Sequence, residues 1–547
     1  MVHAIVDPLS FPNNKFGIHI ISPTPQEVAD ATNLVNSSGG DWGYVTFLIE
    51  SGDRNKDKWQ EFFNELRRRH LIPIVRLATK PLNAHWERPG LEDAQKWAQF
   101  LNSLNWPVKN RYIVVYNEPN HGKEWGQEVS PASYAQVLNE TINALKQASP
   151  DFFVLNAGFD ASSPHLPPRS FDEEKFLQEM ENSVPGIFQK LDGWASHSYP
   201  NPGFVGLPND EGRGSVAGFW WEMQTLKKLG LRKNLPIFIT ETGWMHAEGI
   251  ADNKSLPTSE IVGQFLQNVF QNAWNSPSIV AVTPFLLNYQ EAPFDHFSFK
   301  EYASADYYPQ YQLVADMPKI KGQPVQENKA ELTKGEVYHS MVALQEYNIR
   351  LEFKNSGQSI WSPSAGSGQA KLVALQGGKE LGIEDVVVEN QVEPQQKYTF
   401  NVKLKAPREG IHKVVMNLMQ DGKQFETPPL EWTTQVKSPV ILIVKGGMNW
   451  KRTHQGDYYL ETRGVSGESV RLVALEQEGS SKQLEANYLL PDYEFEFTLS
   501  KPHYQSKTIR VKLQSGENVL DFGKLDPDIL GTLLNPQELW QLLPFSN

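Results

Sequence analysis

From residue 16 to about residue 290 the chain alternates short apolar runs with amphipathic stretches. The apolar runs fall at 16–22, 42–50, 72–78, 112–116, 152–157, 191–197, 236–240 and 280–288. They are rich in β-branched and aromatic residues, and several are apolar throughout, as parallel strands buried on both faces should be. The stretches between them carry helical spacing. Trp59, Phe62, Phe63 and Leu66 stand at i, i+3, i+4 and i+7. Leu91, Ala94, Trp97, Ala98 and Leu101 form a second stripe, and Tyr134, Val137, Leu138 and Leu145 a third. Ile261, Phe265, Leu266, Val269 and Phe270 form the last clear one. Each stripe is wide enough to bury itself on a sheet. Repeated strand-then-helix units predict an α/β fold, a (β/α)8 TIM barrel over residues 1–325. An open doubly wound sheet fits less well, because no Gly-rich phosphate loop follows the first strand. The eighth helix has no visible signature, since 291–324 reads as irregular and rich in aromatic residues.

The polar stretch 318–335 contains Pro and Gly and predicts a linker. Beyond it the rhythm becomes one of short alternating strands, at 347–353, 371–375, 398–404, 413–419 and 430–436. Asp421-Gly422 lies between two of them, a strong hairpin signal. A first small all-β sandwich is expected over 336–438. Runs at 441–444, 470–475, 493–499, 508–513 and 519–522 predict a second over 439–547, ending in a short apolar helix near 538–543.

Charge and composition narrow the function. Asp and Glu outnumber Lys and Arg by 64 to 51, a net charge of −13. That balance argues against nucleic acid, whose phosphates select basic surfaces, and permits a neutral polymer. No Cys is present, which excludes disulfides, thiolate metal sites and a Cys nucleophile. The 13 His residues lack metal-ligand spacing, and no Ser-His-Asp arrangement or Gly-x-Ser-x-Gly elbow occurs. Neither a metal nor a cofactor is expected. No run of about 18 apolar residues exists, so no membrane span is expected. Residues 1–14 lack a basic segment followed by an apolar one, so no signal peptide is visible. A monomer is expected.

In a barrel of this kind the chemistry sits at the C-terminal ends of the strands. The third run contains Arg76 near its end. The fourth ends in Tyr116-Asn117-Glu118-Pro119-Asn120, the sixth in His197-Ser198-Tyr199-Pro200, and the seventh in Thr240-Glu241-Thr242-Gly243-Trp244. Two carboxylates on different strands of one barrel suggest glycoside hydrolysis, in which one protonates the leaving oxygen and the other attacks the anomeric carbon. Other acidic residues, Glu124 and Glu248 among them, read as solvated.

The Asn-Glu-Pro after the fourth strand and the Glu-Thr-Gly-Trp at the seventh resemble clan A glycoside hydrolases, nearest to families 5 and 39, over residues 16 to about 290. The resemblance implies a retaining enzyme acting on β-linked carbohydrate, with Glu118 as acid/base and Glu241 as nucleophile. The long loops after strands four to six and the appended sandwiches favour endo-acting cleavage, inside a polymer. Arg76 and Tyr199 would keep Glu241 ionised, and Asn117 would bind the sugar 2-hydroxyl. His197 would orient Glu118 or contact substrate, and Asn120, Trp125 and Trp244 would line subsites. An extracytoplasmic setting follows from that substrate class alone. The chain departs from the pattern at the eighth strand, where many clan members carry a Trp platform. Here the stretch is Thr283-Pro284-Phe285-Leu286-Leu287-Asn288-Tyr289. Phe285, Tyr289 or a loop ring would have to serve instead.

The first sandwich resembles immunoglobulin-like modules through Trp361 after Asn355-Ser356-Gly357. The second resembles transthyretin-like modules through Pro491-Asp492-Tyr493 and Gly516-Glu517-Asn518. Either could bind polymer or serve as a spacer. Two alternatives stay open: a transglycosylase using the same carboxylates, and a non-catalytic carbohydrate-binding protein on a decayed barrel.

Overall fold

The computed structural model describes residues 5–364 and 368–530. The chain divides into two compact units, Met1–Glu327 with Gly357–Ile360, and Asn328–Ser356 with Trp361–Asn547.

In the first unit strands and helices alternate as β1 (Gly17–His19), α1 (Pro25–Val35), β2 (Gly43–Glu50), α2 (Lys56–Arg68), β3 (Leu71–Ala78), α3 (Asp93–Asn102), β4 (Arg111–Val114) and α4 (Pro131–Ala148). They continue as β5 (Phe152–Leu155), α5 (Glu173–Ser183), β6 (Trp194–His197), α6 (Gly218–Lys228), β7 (Ile237–Glu241), α7 (Ser259–Gln271), β8 (Ile279–Val282) and α8 (Pro309–Ala315). Local chemistry starts many of the helices. Thr24, Asn55, Ser130, Asp172 and Thr258 each accept a backbone N–H in the first turn of α1, α2, α4, α5 and α7. Such caps contribute roughly 1 kcal/mol apiece. The face of α2 then buries Trp59, Phe62, Phe63 and Leu66.

All pairings among β1 to β8 are parallel. One run is β1-β2-β3-β4-β5 and the other β6-β7-β8. The runs touch at both edges. A parallel bridge joins Phe16 to Val282, and another joins Asp160 to His197. Between β5 and β6 the backbone ladder is replaced by a side chain. Asn156 Nδ2 donates to Ala195 O at 2.9 Å, and Ala195 N donates to Asn156 Oδ1 at 2.9 Å. Tyr112 of β4 and Phe238 of β7 pair in neither run, yet their ring centroids lie 5.2 Å apart. Phe153 of β5 packs against both at a tilt, at 5.1 and 5.7 Å. Rings from strands remote in sequence thus fill one interior.

The register places the candidate residues. Arg76 lies beside Val114 on β4. A register shift between Ser196 and His197 sets His197 beside Glu241.

The second unit holds two pairs of sheets. Ala330–Gly335, Glu346–Asn355 and Lys397–Lys405 form one sheet, and Ser340–Val342, Leu430–Lys437, Gly410–Gln420, Ala370–Gln376 and Val386–Val387 lie in another. Trp361, Phe353, Phe400, Met416 and Trp432 form a shared apolar cluster. A separate cluster around Tyr458, Leu460, Phe495, Phe497 and Phe522 draws on a second pair of sheets. These are Leu484–Glu485, Val440–Met448 and Gly516–Leu525, facing Gly467–Leu475, Gly456–Gly464, Glu494–Ser500 and Lys507–Lys512.

At four stretches the expectations are corrected or left aside. The stretch read as irregular contains α8, whose seven residues are too few to display a period. The expected linker ends in the strand Ala330–Gly335, where only Ala330 is buried. The strand Gly456–Gly464 went unread because its inward set, Tyr458, Leu460 and Thr462, includes a polar residue and its outward set includes Tyr459. The helix expected near 538–543 lies outside the described residues.

Phe63 is fully buried, edge-on to Trp106 at 4.8 Å. Phe63→Ala is expected to lower the unfolding free energy by about 3–5 kcal/mol, read from denaturant titration. A loss below about 1 kcal/mol would contradict this packing.

Candidate active site

The turn after β4 delivers two functional groups. Tyr116 and Glu118 have φ of 70° and 30°, left-handed values that cost roughly 1–3 kcal/mol each in a non-glycine residue. Backbone contacts hold the turn, with Glu118 N donating to Gly158 O at 3.1 Å and His121 N to Glu118 O at 2.9 Å. Gly158 also makes room for the site. A Cβ there would stand 2.0 Å from His197 Cδ2, so the imidazole occupies the space a side chain would take.

Glu118 and Glu241 face one another. An oxygen of each and a ring nitrogen of His197 all lie within 4.8 Å of one another. His197 Nδ1 is 3.0 Å from Glu118 Oε1 and 3.8 Å from Glu241 Oε2. Arg76 Nη1 donates to Glu241 Oε1 and, at 2.9 Å, to Asn117 Oδ1. Tyr199 OH donates to Glu241 Oε2 at 3.1 Å. The three atoms are spaced as a cation site would be, but the Arg76 guanidinium already pairs with Glu241.

The electrostatics separate the groups. Burial alone would push Glu241 up, but the charges of His197 and Arg76 outweigh it and hold the carboxyl at about 2. Burial would push His197 down, and the charges of Glu241 and Glu118 reverse that, so the imidazole is raised. Tyr199 is raised by burial and then by Glu241, so it stays a phenol able to donate. His19 lies 3.9 Å from Glu241, fully buried. Burial, with Arg76 adding to it, holds His19 at about 3, so this contact joins a neutral ring to a carboxylate.

The two carboxyls open onto a cavity of about 420 Å3. Phe204, Phe285, Tyr289, Phe294 and Phe297 line its wall, as does Trp86. His121 and Asp160, paired at 2.8 Å, also line it. Phe285 and Tyr289 thus stand in the cleft of a chain that lacks the eighth-strand Trp.

Three expected subsite residues lie elsewhere. Asn120 is fully buried and donates to Asp160 O and Phe171 O at 2.9 and 3.3 Å, tying two loops together. Trp125 is fully buried against Tyr116 and Tyr134. Trp244 is buried against Phe265 and Trp274, with its indole N–H on Gly206 O at 2.6 Å. All three have no ring or amide face left for a ligand, because neighbouring chain segments already cover them.

The expectation that Glu124 is solvated is also corrected, whereas Glu248 keeps about a third of its side chain exposed. Glu124 lines the cleft and accepts from Asn117 Nδ2 at 3.3 Å. Glu248 accepts from Ser259 N at 2.9 Å and lies 3.3 Å from His246 Nδ1. Trp86 and the His121–Asp160 pair went unread. Trp86 sits in a two-residue strand, His85–Trp86, within a polar loop, and its nearness to the end of β3 was the one available signal.

No family model matches the chain. No curated protein matches it either. Several solved structures similar to it are glycoside hydrolases. One is a family 39 glycoside hydrolase from the gut symbiont Bacteroides cellulosilyticus WH2, 13% identical, covering 74% of this chain and 83% of that one at a TM-score of 0.39. Another is an endo-β-1,4-glucanase from Xanthomonas axonopodis pv. citri, 12% identical, covering 55% and 98% at 0.38. A third is a β-mannanase from Thermomonospora fusca, 12% identical, covering 55% and 86% at 0.35. Likeness this distant adds nothing to what the residues themselves carry. Among the described residues no helix is long and apolar enough to cross a membrane.

His197 is expected to titrate above the free imidazole value of about 6.5. Since the folded value exceeds the unfolded one, this ion pairing stabilises the fold fully below the unfolded value and ceases to do so as pH rises through the folded value. NMR titration of the imidazole should find that value lowered in Glu118→Gln. A wild-type ring titrating at or below the free value would contradict the pairing.

Proposed function

We propose that this chain is a retaining glycoside hydrolase acting on β-linked carbohydrate, its first unit a (β/α)8 barrel and its second unit two small β-sandwiches. The carrying observation is the approach of the Glu118 and Glu241 carboxyls to within 4.8 Å on one cleft. Carboxyls roughly 5–5.5 Å apart allow direct attack on an anomeric carbon, whereas about 6.5–9.5 Å leaves room for an intervening water.

In this reading Glu241 attacks the anomeric carbon while Glu118 gives a proton to the departing glycosidic oxygen. The anomeric C–O bond breaks as the glycosyl-enzyme ester forms. Glu118, now a carboxylate, takes a proton from water, whose oxygen displaces Glu241 from the sugar. The depression of Glu241 to about 2 supports its role as the group that stays ionised. Arg76 and Tyr199 fix its two oxygens, and His197 orients Glu118 through Nδ1. Asn117 contacts the sugar 2-hydroxyl, an interaction that strengthens as charge develops. The aromatic wall offers flat apolar faces to sugar C–H groups. Cleavage within a chain rather than at its end is part of the proposal.

Glu118→Gln and Glu241→Gln are each expected to lower kcat on a β-glycan panel by at least about 100-fold. Product NMR should find the anomeric configuration retained, and product sizing should find mid-chain cuts. Wild-type rates in either variant would remove the assigned role, inversion would remove the nucleophile, and transfer to added sugar in preference to water would make the enzyme a transglycosylase.

A further inference from the structure

Glu124 reaches the cleft because its neighbour is anchored. It ends the short 3-10 turn Gly122–Glu124, and the next residue, Trp125, is fully buried between Tyr116 and Tyr134. The turn cannot shift freely. Gly122 N donates to Arg169 O at 2.7 Å, and a Cβ on Gly122 would stand 2.9 Å from the carbonyl oxygens of Gln127 and Pro168.

The Glu124 carboxylate then meets the side chain of Asn117. An amide can present either its oxygen or its nitrogen to a given neighbour, and only chemistry decides which. Arg76 has donors alone, so it takes the Asn117 oxygen, at 2.9 Å. Glu124 accepts, so it takes the nitrogen, at 3.3 Å. A continuous chain results, Glu241–Arg76–Asn117–Glu124, with a group of opposite hydrogen-bonding character on each side of the amide.

Resting on the glycosidase reading, we propose that Glu124 is a positioning residue that fixes the orientation of Asn117 and, through it, the contact to the substrate 2-hydroxyl. Without an acceptor at position 124 the amide loses one of its two restraints and can turn its nitrogen away. The role needs an acceptor oxygen rather than a charge, so a Gln at this position should serve. Burial and the facing charge of Glu118 both raise the Glu124 carboxyl, which agrees with a group whose work does not depend on ionisation.

The test compares an aryl β-glycoside that the wild type turns over with its 2-deoxy counterpart. Glu124→Ala should lower kcat/KM on the hydroxylated substrate by about 10- to 100-fold, the range that follows from misplacing a contacting group. On the 2-deoxy substrate the same variant should lose far less, and Glu124→Gln should restore most of the lost rate. Equal losses on both substrates, as a folding defect would give, would overturn the proposal. So would an Ala variant unaffected on both, or a Gln variant no better than Ala. A wild type with no glycosidase turnover would overturn the functional reading and this inference together. Turnover that depends on Glu118 and Glu241 but not on residue 124 would overturn this inference alone.

Discussion

A carboxylate removed from water has to be matched by charge and hydrogen bonds, and Glu241 is the buried carboxylate around which the first unit's site is organised. The penalty for leaving such a group unpaired is several kcal/mol, larger than the contribution of most single contacts. Arg76 from β3, Tyr199 beyond β6 and His197 at the end of β6 converge on it. No two of these are close in sequence to Glu241. They meet because parallel strands present their C-terminal ends on the same side, and because the register shift between Ser196 and His197 brings that imidazole level with Glu241.

The loop after β4 follows from the same constraint. To face Glu241, Glu118 takes a left-handed backbone conformation that a side chain normally avoids. Backbone bonds to Gly158 and His121 hold it there. Gly158 serves twice, its carbonyl receiving Glu118 N and its missing side chain admitting His197. Trp125, expected at a subsite, instead anchors the loop from below, and this burial aims Glu124 at the cleft. The large aromatic residue thus contributes to the site through packing rather than through contact with a ligand.

Much of this was legible in one dimension. The eight parallel strands of the first unit overlap the eight apolar runs, because strands buried on both faces are mostly apolar. The helical stripe Trp59, Phe62, Phe63 and Leu66 is buried as its spacing requires. Elements whose apolar residues are few escaped, as with α8 and Ala330–Gly335, since a period needs several repeats to be seen. The residues Arg76, Asn117, Glu118, His197, Tyr199 and Glu241 gather at one place, having been picked out by their position at strand ends.

Sequence by itself determined which residues stand at strand ends and which faces are apolar, because both follow from local periodicity and side-chain type. It could not determine which Trp is covered and which is open. Trp125 and Trp244 carry the same ring as Trp86, and only the segments folded over them separate the first two from the third. Nor could it determine that Glu124 faces an amide rather than water, because that depends on how the loop after β4 folds back on itself. Exposure and pairing are properties of what lies opposite a residue, and what lies opposite is set by the tertiary fold.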